Sequence, residues 1–172
     1  LATGKTNRDY DTLIKAARFV DAEIRIIGPA AQKPSALPNN VRWTNTSESP
    51  PDKAIDYPSL KRWYNNCVGV CVPLSGDAND TCGYTNMLEG MSMAKPVLMT
   101  DSGCLHLNPE SGNYGLRIKP QDSKGWSNAM NHTLRDSKFA AMCGINGRNI
   151  IKSQFTIKRF NRDVISLVED TF

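Results

Sequence analysis

Residues 82–96, Cys-Gly-Tyr-Thr-Asn-Met-Leu-Glu-Gly-Met-Ser-Met-Ala-Lys-Pro, hold the groups best placed to do chemistry in this chain. An apolar run at 68–74 precedes them and a shorter one at 97–100 follows. Strand, glycine-containing loop, helix, Lys-Pro and strand make a βαβ unit. Such a unit brings a helix N-terminus to the mouth of a parallel sheet. That terminus presents backbone N–H groups without intrahelical partners and the positive end of the helix dipole. Phosphate is the natural ligand of such an end. Glu89 stands one turn further along.

On a helical wheel, Tyr84, Met87, Leu88, Met91 and Ala94 share one face at spacings of three and four. That is the pattern of a core-facing stripe. Thr85 and Glu89 lie four apart on the opposite face, where a group bound above the helix start would meet both. A phosphate site beside a carboxylate suits a nucleotide sugar. The plainer reading makes Glu89 a solvated carboxylate near a positive helix end, worth roughly a few tenths of a kcal/mol. The wheel alone supports either.

Those residues need a scaffold, and the whole chain bounds it. Its 172 residues fit one domain, long enough to bury a core. Hydrophobic residues are 40% and charged residues 22%, ordinary for a globular protein. The net charge of +4 suits a small anionic ligand. No basic block or aromatic-basic alternation supports a nucleic-acid partner. No apolar run approaches the ~18 residues of a membrane span. The five cysteines, at 67, 71, 82, 104 and 143, lack zinc spacing, and His106 and His132 complete no ligand set. Reduced thiols, no metal, no signal peptide and a cytoplasmic location are the resulting expectations.

Strand and helix signals alternate along the chain. Residues 1–4 read as the tail of a strand whose beginning has been cut away. A helix is expected at 9–20 with Tyr10, Leu13, Ile14 and Ala17 inward. Strands follow at 23–27 and 41–44, then a Ser-Pro-Pro breaker at 49–51. A helix at 59–66 turns Leu60, Trp63 and Tyr64 inward. Further strands are expected at 68–74, 97–100 and 114–119, with the phosphate-site helix at 84–94. Three helices finish the chain. The first, at 122–134, packs through Trp126 and Met130. The second, at 139–153, uses Phe139, Met142, Cys143 and Ile150. The last is capped by Thr156 and buries Ile157, Phe160, Val164, Val168 and Phe172. The fold class is α/β, a Rossmann-like parallel sheet of about six strands with helices on both faces. Its ligand would sit beyond the carboxyl ends of the strands, at the switch point.

Several stretches resemble the C-terminal, donor-binding domain of GT-B glycosyltransferases, closest to the retaining group called family 4. Residues 4–17, Gly-Lys-Thr-Asn-Arg-Asp-Tyr-Asp-Thr-Leu-Ile-Lys-Ala-Ala, resemble that domain's opening signature. Ile26-Ile27-Gly28 resembles its second strand. Residues 88–97, Leu-Glu-Gly-Met-Ser-Met-Ala-Lys-Pro-Val, resemble its most specific motif. Tyr114-Gly115-Leu116 with Pro120-Gln121-Asp122 resembles a later one. The resemblance covers nearly the whole chain.

The resemblance implies roles. Gly4 opens the loop that carries Lys5 and Arg8, the basic pair that grips the donor diphosphate. Positive charge beside a leaving nucleoside diphosphate stabilises it as the glycosidic bond breaks, which needs no metal or other cofactor. Gly83, Tyr84, Thr85 and Asn86 match the loop that holds the phosphates. Glu89 matches the carboxylate that accepts hydrogen bonds from both ribose hydroxyls. Lys5, Arg8 and Glu89 thus form the candidate catalytic set. Gly28, Trp43 and the stretch around Tyr57 fall near the base. Trp43 could stack on it or pack in the core.

Two departures stand out. The family glutamate eight residues before the ribose one is Thr81 here, with Asp77 and Asp80 nearby as substitutes. The glycine expected before Lys95 is Ala94. The resemblance further implies an absent N-terminal acceptor domain, through which any peripheral membrane contact would run. Without that domain the last helix is expected to fray or pack differently. The expected function is donor binding for transfer of a hexose to a sugar, lipid or small-molecule acceptor. A degenerate scaffolding module and a nucleotide-sugar epimerase are the alternatives. A flavodoxin-like domain would leave Leu88-Glu89, Lys95-Pro96, Lys5 and Arg8 without a reason.

Overall fold

The computed structural model describes residues 1–46, 55–76, 81–102 and 107–169. The breaker at 49–51, Asp77, Asp80, Cys104, His106 and Phe172 lie outside them. The described residues form six strands and six helices, in the order β1 (Ala2–Thr3), α1 (Tyr10–Ala17), β2 (Ile24–Pro29), β3 (Val41–Thr46), α2 (Tyr57–Asn66), β4 (Val70–Val72), α3 (Tyr84–Ser92), β5 (Val97–Thr100), β6 (Gly115–Ile118), α4 (Ser123–Arg135), α5 (Ser137–Gln154) and α6 (Ile157–Glu169). A single 3-10 turn, Ala30–Gln32, follows β2.

All six strands pair parallel in the order β3-β2-β1-β4-β5-β6. The chain winds outward from β1 to β3, returns to the centre and winds outward again from β4. The connections reverse direction between β1 and β4, which is where a sheet of this kind leaves a crevice. Both faces are covered, so β4 and β5 are buried at every position. One core layer joins Tyr10, Leu13, Ile14 and Ala17 of α1 to Trp126, Ala129 and Met130 of α4. The other joins Tyr64 of α2 to Met87 and Met91 of α3.

Side-chain caps fix most helix starts. Asp9, Asp56, Asp122 and Asp136 accept from the amides of Thr12, Ser59, Gly125 and Phe139. Thr156 accepts from Arg159 N–H, as expected for α6.

Boundaries depart from the sequence reading where tertiary contacts decide them. Helix α1 stops at Ala17, and Phe19 is exposed. Strand β4 is shorter than 68–74: Val68 is exposed, and Leu74 instead bridges antiparallel to Arg8. Helix α3 ends at Ser92, so Ala94 leaves the core stripe and is exposed. Helix α5 buries Cys143, Gly144 and Gly147, whereas Met142 is exposed. A Cβ on Gly144 would strike the carbonyl of Ala94, so the missing side chain sets how closely α5 lies on α3. Helix α6 keeps its helical form, but the expected burial fails. Ile157, Phe160, Val164 and Val168 are all exposed, since no described residue covers that face deeply.

Candidate functional site

The loop from Gly4 to Asp9 and the start of α3 flank the switch point. Gly4 has φ +128°, a conformation side chains avoid, and a Cβ there would collide with the Arg8 guanidinium. The loop is clasped to the end of β4, through Asp9 N–H to Pro73 O (3.2 Å) and Ser75 N–H to Asn7 O (3.1 Å). Leu74 N–H, next along, donates to the buried hydroxyl of Thr100 at 2.8 Å.

Arg8 lies across this loop. Its Nε donates to Thr3 O at 3.1 Å and its Nη1 to Thr6 O at 2.9 Å. Its Nη2 donates to Asn86 Oδ1, in the first turn of α3. Lys5 is exposed on the same loop, and its carbonyl accepts from Gln32 Nε2 at 3.1 Å.

Helix α3 begins at Gly83, with φ +90° and no side-chain cap. A Cβ there would stand 2.7 Å from Val72 Cγ1. Glycine therefore lets the helix start tight against the end of β4, with Met87 N–H the first to find an intrahelical acceptor, Gly83 O. Gly83, as the N-cap of α3, offers no side chain to the first-turn amides, unlike the Asp and Thr caps of the other five helices. Thr85 is exposed beside those amides, and Tyr84 is half-buried.

From Arg8 a run of hydrogen bonds leads to Glu89. Asn86 Nδ2 donates to Thr3 Oγ1. Thr3 Oγ1 lies 3.3 Å from the Tyr64 hydroxyl. That hydroxyl donates to Glu89 Oε2 at 2.7 Å, while the Tyr57 hydroxyl donates to Oε1 at 2.9 Å. Burial is the main cause that pushes the Tyr64 phenol far above its ordinary range. The hydrogen bond to Glu89 raises that of Tyr57. Both phenols are therefore donors at neutral pH.

The structure thus brings Gly4, Arg8, Gly83, Asn86, Glu89 and Tyr57 into one contiguous site, with Lys5 and Thr85 at its exposed rim. Gly28 and Trp43 form an adjoining group. A Cβ on Gly28 would meet the Trp43 ring at 2.7 Å, and Trp43 stands edge-on to Tyr10 with centroids 5.1 Å apart. Tyr10 links this group to the loop by donating to Gly4 O at 2.8 Å. Trp43 Nε1 is buried without a hydrogen-bond partner among the described residues. Thr81 is exposed just before α3.

Thr3 and Tyr64 are the site residues that sequence reasoning missed. Tyr64 is buried in the core as its helical spacing predicts, but that spacing does not show that its hydroxyl reaches Glu89; Tyr57 and Tyr64 are seven apart, two turns on one helix face. Among the described residues, no group of three or more His, Cys, Asp or Glu could hold a metal ion. An apolar hollow between Ile24, Trp63, Cys67 and Met130 shares no lining residue with this site. Its Arg25 stacks over Trp63 and pairs with Glu23.

A six-stranded parallel sheet whose switch point is flanked by a glycine-started helix and a basic loop is a Rossmann-like architecture. The chain belongs to the family described as glycosyl transferases group 1, which residues 4–136 match. No curated protein matches it by sequence. Solved structures share its fold. Sucrose-phosphate synthase from Thermosynechococcus elongatus superimposes with a TM-score of 0.78 at 19% identity, over 99% of this chain and 45% of that one. HepE from Anabaena, solved with UDP-glucose, gives 0.75 at 19% identity, over 98% and 48%. The C-terminal domain of the group 1 protein LpcC from Francisella tularensis gives 0.67 at 16% identity, over 91% and 84%. The chain spans about half the length of the first two and most of that isolated C-terminal domain. It has the fold of the C-terminal half of a GT-B glycosyltransferase.

Proposed function

We propose that this domain binds the nucleotide-sugar donor of a retaining glycosyltransferase, which passes a hexose to a sugar, lipid or small-molecule acceptor held by a second domain. The observation that carries this reading is the convergence at the β1/β4 crevice of Arg8, the Gly83-started N-terminus of α3 and Glu89. The donor diphosphate would lie on the α3 amides between Lys5 and Arg8. Glu89, one turn on, would accept from the ribose hydroxyls.

When the glycosidic bond breaks, its electron pair goes to the diphosphate oxygen. Two cationic side chains and a helix N-terminus stabilise that developing charge. This chemistry requires no metal ion. Asn86 fixes the Arg8 guanidinium from the helix side, so its charge needs little reorganisation when the phosphates arrive. HepE's capture with UDP-glucose, on the same fold, supports a sugar nucleotide as the class of ligand. The exposed apolar face of α6 suits a domain that packs against a second one, and the coverage of the larger neighbours agrees. The absence of the family's earlier glutamate, with Thr81 in its place, favours a second reading, a domain that binds nucleotide without transferring sugar.

Titration calorimetry with UDP, GDP and ADP tests the donor site. One nucleotide should bind selectively. Glu89→Ala should weaken it by about 1–3 kcal/mol, the scale of lost polar contacts. Lys5→Ala should weaken it too. Affinity unchanged in Glu89→Ala would refute the assignment of the ribose contact.

A further inference from the structure

We infer that Tyr64 is a positioning residue for the donor ribose, holding the Glu89 carboxylate in place and tying it to the phosphate-binding end of the site. The inference rests on the donor-site reading above and extends it to a residue outside the motifs. Glu89 is half-buried and can accept about four hydrogen bonds, two per oxygen. Each oxygen has one tyrosine donor, Tyr57 on Oε1 and Tyr64 on Oε2, which leaves acceptor capacity on both for a vicinal diol.

The two tyrosines differ. Tyr57 is 71% exposed at the first position of α2 and free to yield its place to a ligand hydroxyl. Tyr64 is 2% exposed, and its hydroxyl lies between Glu89 and Thr3. It cannot turn away without stranding a buried hydroxyl. Thr3 in turn meets Asn86, and Asn86 meets Arg8. The carboxylate that would read the ribose and the cation that would grip the diphosphate are therefore held by one connected set of side chains. The ribose and the diphosphate of one ligand would be read against a common frame.

The test compares whichever of UDP, GDP or ADP binds tightest with its 2′,3′-dideoxy counterpart, in the wild-type chain, Tyr64→Phe and Thr3→Val. Thermal melts confirm folding of each variant, and Phe and Val keep the buried volumes. The wild-type chain should prefer the ribonucleotide. Tyr64→Phe should cut that preference about tenfold, through weaker ribonucleotide binding alone. Thr3→Val, which interrupts the connection from the far side, should cut it by about threefold. A merely structural tyrosine would weaken both ligands equally. Equal weakening, or full preference retained in Tyr64→Phe, overturns the positioning role while leaving the donor site intact. A wild-type chain that binds no nucleotide, or that shows no ribose preference, overturns the donor-site reading and this inference with it.

Discussion

Individual residues at this site are held more tightly than motif matching conveys. Gly83 combines a positive φ with a neighbour, Val72, that leaves no room for a methyl group. Gly83→Ala should cost about 2 kcal/mol of stability, read from urea unfolding, and should weaken nucleotide binding by displacing the α3 amides. The buried phenols carry a second prediction. Tyr10, Tyr64 and Tyr114 are all pushed far above the ordinary value of 10.0, mainly by burial. Above that value the unfolded chain loses phenolic protons that the native state keeps. The native state then binds more protons, so stability must fall as pH rises. Thermal midpoints should drop steadily from pH 10 upward, and Tyr64→Phe should make the fall shallower. Lys5, Arg8, Asn86 and Glu89 stand out as candidates because their motifs are local in sequence. The contact of Tyr64 with Thr3 does not, because it spans 61 residues and no local pattern encodes it.

The elements follow the same logic. Helix α3 closes in a Schellman arrangement, with Ala94 N–H to Met91 O and Lys95 N–H to Gly90 O, both 3.0 Å, and Pro96 just beyond. Its left-handed residue is Ala94, at φ +54°, where glycine is the usual choice. Ala94→Gly should therefore stabilise the fold by about 0.5–1 kcal/mol, with no effect on nucleotide binding. Thermal and urea unfolding would measure it. Order and type of the strands and helices were readable from apolar periodicity and turn residues. The ends of β4 and α3 were not. Arg8 captures Leu74 from the end of one, and the Schellman turn stops the other. The buried stripe of α5 also escaped periodicity, because Gly144 and Gly147 score as breakers although they form the contact surface.

At the scale of the whole molecule, α6 is the unbalanced part. Its apolar residues run along one side, with Phe160 at 66% exposure and Ile157 at 77%. Pairing Phe160→Asp with Val164→Asp should leave the melting temperature of this chain nearly unchanged. Sedimentation velocity should show less self-association, since the pair removes an exposed apolar patch. No change in association would mean the face is inert in isolation. The sheet order has a further consequence. The central strand β1 comes first in the chain, but Cys71 N–H to Leu1 O, at 2.8 Å, joins it to β4. During synthesis β1 to β3 emerge with one flank of β1 unpaired until β4 is delivered, some 70 residues after β1. That flank is a strand edge able to recruit neighbouring chains. Conditions that slow translation between β3 and β4 should therefore lower the soluble yield more than the same delay placed after β4.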